Sequence, residues 1–305
     1  MNTVALTGAS GFVGRHVLDR LLQRGHAVRA LVRQPGQIQA LSNLTPVVGR
    51  LDRLEALKEL VRGADHLIHL AGATGGFDYD DFARVNVSGT ERLIDACLET
   101  APAIRLIHLS SLAAREPDLS DYAASKSHGE DLVRASQLNW VILRPPAVYG
   151  PDDAALAPLW QALAKGWLIR TSPARSRFSL IHVDDLASAL VALVEVPTAG
   201  LGRTLDVDDG HGGYGWGDLK AIAEARLEKS VRVLAVPGFA LKTLGTINVV
   251  AARLSRRRPP PLVPGKVREL VHHDWVCDNS DFTSCADWQP TITLTSALDE
   301  LPGWR

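Results

Sequence analysis

The sequence predicts an α/β fold, a doubly wound parallel sheet with a smaller α/β part appended towards the C-terminus, and three observations carry that prediction. Short apolar runs alternate with amphipathic helical segments over the first 150 residues, as expected when parallel strands are joined by crossover helices. The first run, Val4 to Leu6, breaks into a turn spaced by Gly8, Gly11 and Gly14 and continues as a helical segment. At 305 residues and 46% hydrophobic content, the chain can bury a core large enough for such a sheet and an added part.

Taken in order, the opening stretch reads as strand, tight turn and a helix over 12–24. Gly8 permits a turn that a side chain would obstruct, Gly11 lets the backbone approach a pyrophosphate, and Gly14 lets the helix lie close on its strand. Phosphates would sit on the helix N-terminus, where unpaired N–H groups favour anions. Ser10, Phe12 and Val13 complete this candidate dinucleotide site. The second strand, Ala27–Val32, ends at Arg33, where an acidic residue would bind a free ribose 2′-hydroxyl. An arginine there suits a 2′-phosphate, so the expected cofactor is NADP, with NAD as the alternative. Ser10 offers a hydroxyl to the same phosphate. The plainer reading of Arg33 is a surface arginine at a strand end.

Further strands are expected at Pro46–Val48, His66–Leu70, Arg105–Leu109 and Trp140–Leu143, with helices over 53–62, 80–99 and 121–137. Beyond Gly150 the pattern loosens into a helix over 153–165, a strand near Ser179–Val183, a helix over 185–195, a strand near Thr204–Val207 and a helix over 217–228. Residues 1–150 are therefore expected to form the cofactor-binding part. Residues 151–305 are expected to form mainly the substrate side, with some segments returning to the first sheet. The apolar helix Phe239–Leu254 reads as a lid or core helix in preference to a membrane-surface element. The run from Arg256 to Pro261 reads as a solvated loop.

Composition narrows the partners. A formal net charge of −1 and a pI near 6.8 provide no basic field for nucleic acid, which leaves small molecules and other proteins. Cys97, Cys277 and Cys285 lack CxxC spacing, which argues for a reducing compartment and against a structural zinc site. A strand beginning at residue 3 leaves no room for a signal peptide, and no apolar run reaches about 18 residues. A cytoplasmic location, no metal and no integral membrane segment are expected.

The chemistry is concentrated in two places. Tyr122 and Lys126 are four residues apart at the start of a helix, which puts phenol and ammonium on one face. A free phenol titrates near pH 10, and bringing it to about 7 takes roughly 4 kcal/mol, which a lysine cation and an oxidised nicotinamide could together provide. Tyr122 would then be the proton donor or acceptor. Ser110 and Ser111 follow the strand Arg105–Leu109, and Ser111 can hydrogen-bond a substrate carbonyl oxygen. Serines after a strand are also common turn formers.

With these residues in place the sequence resembles the extended short-chain dehydrogenase/reductase family, the NAD(P)-dependent epimerase/dehydratase group. The resemblance runs through Thr7 to Gly14, His69 to Gly72, Asn86 to Thr90, Ser110-Ser111, Tyr122 to Lys126, Arg144 to Pro151, His182 to Ala187 and the closing Asp287 to Pro290. It covers essentially the whole chain and implies a Rossmann-type fold. It also implies that Tyr122 is the acid/base, that Lys126 holds the nicotinamide ribose and lowers the tyrosine pKa, and that Ser111 polarises the reacting oxygen. Leu51, Leu70, Ala71 and Gly72 would line the cofactor, Pro145 and Val148 its nicotinamide side, and Ala73, Thr74, Tyr149 and Phe178 the substrate. Asn86 fits a helix cap better than a proton relay, and Asp184 and Asp185 fit capping too. The resemblance further implies a homodimer through helices 80–99 and 121–137; in the first of these Leu93, Ala96 and Cys97 recur at helical spacing, a stripe that suits either a partner or the sheet.

Departures from the family's pattern sharpen the expectation. Leu112 and Ala113 stand where sugar dehydratases carry an Asp-Glu pair, and Phe178 stands where sugar-nucleotide enzymes carry an arginine, with Arg175 and Arg177 as nearby substitutes. Gly49 to Asp52 leaves the adenine contact after the third strand in doubt. Only eleven positions separate Ser111 from Tyr122, which opens the substrate pocket. The expected function is an NADP(H)-dependent oxidoreductase acting on a carbonyl or secondary alcohol of a mostly apolar small molecule, as in the dihydroflavonol-reductase and hydroxysteroid-dehydrogenase branches. The alternatives are a nucleotide-sugar epimerase with tightly bound NAD, and a cofactor-binding regulatory protein without turnover.

Overall fold

The computed structural model describes residues 1–255 and 258–304. Its main sheet contains β1 (Thr3–Thr7), β2 (Ala27–Val32), β3 (Leu44–Val48), β4 (His66–His69), β5 (Arg105–Leu109), β6 (Asn139–Arg144) and a last strand, Thr204–Asp206. All run parallel, in the spatial order Thr204–Asp206, β6, β5, β4, β1, β2, β3. The crossovers change direction between β1 and β4, and at such a switch point the strand ends leave a crevice. Pro46 lies in β3, the edge strand, where a missing N–H is tolerated.

Among the described residues, the helices of eight residues or more are α1 (Phe12–Gln23), α2 (Leu54–Val61), α3 (Tyr79–Asn86), α4 (Ser88–Thr100), α5 (Asp121–Ala135), α6 (Ala157–Ala164), α7 (Val183–Glu195), α8 (Trp216–Leu227), α9 (Gly238–Leu254) and α10 (Pro264–Val271). The sheet is buried on both faces because its strands are apolar at successive positions. Val4, Leu6, Ile107, Val141 and Leu143 pack with α1 and α7, whereas Ala5, Leu106 and Ile142 pack with α2, α4 and α5. A third cluster, around Tyr149, Trp160, Leu168, Tyr214 and Leu298, lies on the C-terminal side. Arg105 reaches from β5 to the carbonyls of Leu193, Val196 and Ala199 and so satisfies the C-terminal end of α7.

Several elements differ from the sequence expectation. The single helix expected over 80–99 is two helices broken at Val87, where Val87, Ser88 and Gly89 place three poor helix formers in succession. Leu180–His182 falls within the strand expected near Ser179–Val183, but its parallel partner Ala147–Tyr149 and the parallel pair Trp167–Arg170 with Arg232–Ala235 are too short to register as periodic runs. α10 was not anticipated. The Phe239–Leu254 segment is helical, but it is not a core helix, since only Gly245 and Ala252 are buried. Leu93, Ala96 and Cys97 pack against the sheet and so form no outward-facing stripe. Of the expected loop 256–261, Arg256 and Arg257 lie outside the described residues, and Arg258 is exposed.

α5 is held in place by charge. Glu130 is fully buried and accepts from Arg144 Nε at 2.8 Å and Nη2 at 2.6 Å, and it also pairs with Arg134 on its own helix. This bidentate bridge fixes α5 to the end of β6. Removing one partner of a buried pair leaves the other charge uncompensated, at a cost of about 3–5 kcal/mol. Glu130→Ala is therefore expected to lower stability by about that amount in urea unfolding, while Asp131→Ala, on the exposed side of the same helix, should change the midpoint little.

Candidate active site

The turn after β1 is shaped by contact with β4. Gly8 has φ +76°, and a Cβ there would lie 2.8 Å from the amide nitrogen of Ala71 and 2.9 Å from the carbonyl carbon of Leu70. A Cβ on Gly14 would lie 2.0 Å from the Gly8 carbonyl oxygen, so α1 rests directly on the turn. α1 starts at Gly11 with no capping side chain and no acidic residue in its first turn, so its N–H groups stay available to an anion. Ser10 and Gly11 are exposed, and Phe12 and Val13 half-buried. This cradle fits the pyrophosphate of a dinucleotide.

Arg33 is exposed beyond β2. Its backbone N–H donates to Gln37 Oε1 at 2.9 Å, and Gln37 Nε2 donates to Ser10 Oγ at 2.9 Å. Gln37 thus joins the loop bearing Arg33 to the glycine turn, a link for which the sequence carried no signal. Leu51 packs on Gly89 at the start of α4.

Beneath the site lies a directed hydrogen-bond chain. Ala71 N–H donates to Thr7 Oγ1 at 3.1 Å, and the Thr7 hydroxyl donates to His69 Nδ1 at 2.7 Å. His69 Nε2–H donates to Thr90 Oγ1 at 3.1 Å, whose hydroxyl donates to the Asn86 carbonyl at 2.8 Å. Each hydroxyl has one proton, so the chain assigns the His69 tautomer. Asn86 does not cap a helix. Its amide clamps the Ala73 peptide, accepting from Ala73 N at 2.8 Å and donating to Ala73 O at 3.1 Å, and donates to Ser125 Oγ at 2.9 Å. Leu70, Ala71, Gly72 and Ala73 are therefore a pinned segment at the end of β4, and Thr74 beyond them is exposed.

Tyr122 and Lys126 sit on the first turns of α5, whose N-cap Ser120 accepts from Ala123 N at 3.0 Å and donates to Glu269 of α10. Burial pushes the Tyr122 phenol up to about 12, with a hydrogen bond from Ser111 acting the other way. Burial brings Lys126 down to about 8, opposed by Glu130, and its ammonium donates to the Leu109 carbonyl at 2.8 Å. The expectation that the lysine depresses the tyrosine is not met in the chain by itself: desolvation dominates, and the phenol remains a proton donor. Ser111 Oγ also accepts from Ala113 N at 3.2 Å, at the head of a short turn in which Leu112 and Ala113 are buried. The Pro145 carbonyl accepts from Leu112 N at 2.8 Å, so Pro145 lies beside that turn, and Val148 is half-buried.

On the substrate side the structure makes corrections. Tyr149 is fully buried between Trp160 and His182, with ring centroids at 6.0 and 5.3 Å, so it is core and offers no surface to a ligand. Phe178 stacks edge-on against Trp216 at 5.4 Å. The Arg177 guanidinium donates to the Gly212 and Gly213 carbonyls, at 3.2 and 2.8 Å. Asp184 and Asp185 do not cap α7: the cap is His182, which accepts from Asp184 N at 3.2 Å. Asp184 bonds His16 at 2.6 Å, and Asp185 accepts from Thr291 and Ile292 and anchors the C-terminal segment.

Residues 4–207 match the profile of the NAD dependent epimerase/dehydratase family. The chain is 38% identical over 274 residues to "Ceramide reductase" of Caulobacter vibrioides, covering 89% of this chain and 85% of that protein. It is 29% identical over 241 residues to "Dihydroflavonol 4-reductase" of Zea mays, covering 65% and 68%. The UDP-glucuronic acid 4-epimerase of Bacillus cereus, solved with UDP-glucuronic acid and NAD, superposes with a TM-score of 0.73 at 21% identity over 99% of this chain and 98% of that one. That similarity concerns the fold.

The buried histidines make stability depend on pH. Burial lowers His69 to about 3, with Lys126 adding to the effect, and drives His108 well below its usual value. Both are neutral when folded but take up a proton below about pH 6.5 when unfolded, so their contribution is full above 6.5 and is lost as the pH falls. By pH 5 the neutral burial of His69 costs about 2 kcal/mol of stability, since one pH unit is worth about 1.4 kcal/mol, and His108 acts in the same direction. Among the described residues His108 has no partner for either ring nitrogen. His108→Leu should therefore flatten the decline in unfolding free energy between pH 6.5 and 5 and leave stability at pH 7.5 equal or higher.

Proposed function

The chain belongs to the NAD-dependent epimerase/dehydratase family and is an NAD(P)-dependent oxidoreductase, and on that premise we propose that it uses NADPH to reduce a ketone on a long-chain, ceramide-class substrate. The similarity to a ceramide reductase along 89% of the chain is the observation that carries this reading. Two features of the site support it. Buried Leu112 and Ala113 leave no acid after Ser111 for a dehydration. Phe178 is apolar and packs on Trp216, and Arg177 is engaged by backbone carbonyls, which leaves exposed Arg175 as the neighbouring cation at that edge.

The proposed roles follow from the protonation states. The Ser111 hydroxyl, beside the phenol, hydrogen-bonds the substrate oxygen. Tyr122, a phenol protonated at neutral pH and pushed up further to about 12 by desolvation, donates its proton to that oxygen as negative charge develops on it. Lys126, kept cationic with the help of the Glu130 charge and oriented by the Leu109 carbonyl, holds the nicotinamide ribose. Nicotinamide, when bound, supplies the hydride. Arg33 and Ser10, joined through Gln37, take the 2′-phosphate, and the free thiols of Cys97, Cys277 and Cys285 suit the cytoplasm.

Three measurements test the proposal. Tyr122→Phe should lower kcat by about 10²- to 10⁴-fold with NADPH affinity unchanged, since the phenol acts only on the reacting oxygen. Arg33→Ala should erase an NADPH-over-NADH preference of at least about tenfold, the scale of one charged hydrogen bond; tighter NADH binding by the wild type would reverse the cofactor assignment. The purified protein should oxidise NADPH with a long-chain oxo-amide and not convert UDP-glucose. Interconversion of UDP-sugars with no net change in nicotinamide absorbance would replace the reductase with an epimerase.

A further inference from the structure

α9 shows solvent an apolar seam that the fold does not use. Phe239 is 76% exposed, Ile247 58%, Val250 52% and Leu254 82%. With Thr243 they recur at intervals of four, four, three and four residues, the spacing of a single helical face. The opposite face is packed: Gly245 lies against Val263, Pro264 and Val267 at the start of α10, and Ala252 is buried. Just before α9, Val233 and Leu234 are 44% and 50% exposed. Isolated exposed apolar residues are ordinary, but an aligned set on one helix marks an interaction surface.

The charge around this seam identifies the partner. Between residues 229 and 268 the sequence contains nine Lys and Arg and no Asp or Glu. The whole chain has a formal net charge of −1, so the rest of it carries −10, and the cations are concentrated in the stretch of sequence that contains α9. Lys242 and Arg253 flank the apolar seam on one side of the helix and are exposed, Lys242 unpaired among the described residues and Arg253 paired with Asp78. A two-fold contact between copies would oppose like charges across this face. Among the described residues no helix is long and apolar enough to cross a membrane. An apolar stripe bordered by cations is the pattern of a helix lying in the interface of an anionic bilayer.

The helix is also connected to the catalytic end of the molecule. Arg253 pairs with Asp78 at 3.2 Å and lies over the Phe77 ring at 5.4 Å, a few residues beyond the pinned segment Leu70–Ala73. α10, on which α9 packs, bonds through Glu269 to Ser120, the N-cap of the helix bearing Tyr122, and Arg268 Nε donates to the Leu119 carbonyl at 2.5 Å. We propose that the outer face of α9 docks the protein on an anionic lipid surface, which brings the Tyr122 end of the molecule to the bilayer that holds an apolar substrate. The use of such docking rests on the lipid-substrate reading, whereas the docking itself rests on the exposed seam and its charge.

The test is sedimentation with vesicles, using the intact protein and the double variant Ile247→Ser, Leu254→Ser. Both side chains point to solvent, so the variant should fold, and NADPH oxidation with a short, water-soluble ketone should be the same in the two proteins. Wild type should bind phosphatidylcholine vesicles containing one third phosphatidylglycerol at least about tenfold better than pure phosphatidylcholine, with the difference lost at high salt. The variant should lose at least about tenfold of that binding. Equal binding to both vesicle types, or no effect of the substitutions, would overturn the proposal. So would a wild-type dimer in light scattering that the substitutions make monomeric without any vesicle binding, since α9 would then be an interface between copies. Vesicle binding without ketone reduction would uphold the docking face and remove the reductase reading; the reverse would do the opposite.

Discussion

The site depends on two backbones meeting at contact distance, the Gly8 turn and the Leu70–Ala71 peptide. A Cβ at position 8 would force them apart, and one at position 14 would push α1 off the turn. Because they meet, the Thr7 hydroxyl reaches both the Ala71 amide and His69, and His69 in turn reaches Thr90 and the Asn86 carbonyl. Asn86 then fixes Ala73 on one side and Ser125, next to Lys126, on the other. A single close approach thus sets the spacing between the dinucleotide cradle and the helix bearing the tyrosine and lysine. The parallel sheet makes the approach possible, since β1 and β4 are neighbours where the crossovers change direction.

Desolvation is the second common cause. It raises the phenol of Tyr122, lowers the ammonium of Lys126, and holds His69 and His108 neutral beneath them. The four groups thereby fall into a consistent pattern: a neutral acid and a neutral histidine floor around one cation. Glu130 balances that cation through α5 and binds α5 to β6 through Arg144, so the electrostatics of the site and the placement of its helix share one carboxylate.

The α9–α10 pair extends the same economy outward. α10 secures the N-terminus of α5 through Ser120 and Glu269, and α9 braces the segment beyond β4 through Arg253 and Asp78. One face of α9 is used for this support, which leaves the other free to present apolar side chains to solvent. A helix of this kind joins the surroundings of the protein to the site without entering it.

The sequence by itself determined the parallel sheet, the glycine cradle, and the placing of Ser111, Tyr122 and Lys126 around one helix start. These features are local: period two, period 3.6, glycines three apart and an i,i+4 pair can all be read within a dozen residues. Only the tertiary structure decided that Tyr149 is core, that the 80–99 helix breaks at Val87, that Asn86 clamps a peptide instead of capping a helix, and that the apolar helix after Phe239 faces outward. Asn86 pairs with a residue 13 positions away, Ser120 with one 149 away and Arg253 with one 175 away. Composition cannot show which face of an apolar helix is buried, because that depends on which element packs beside it. Here α10, a short helix with little sequence signal, covers one face of α9 and leaves the other in solvent.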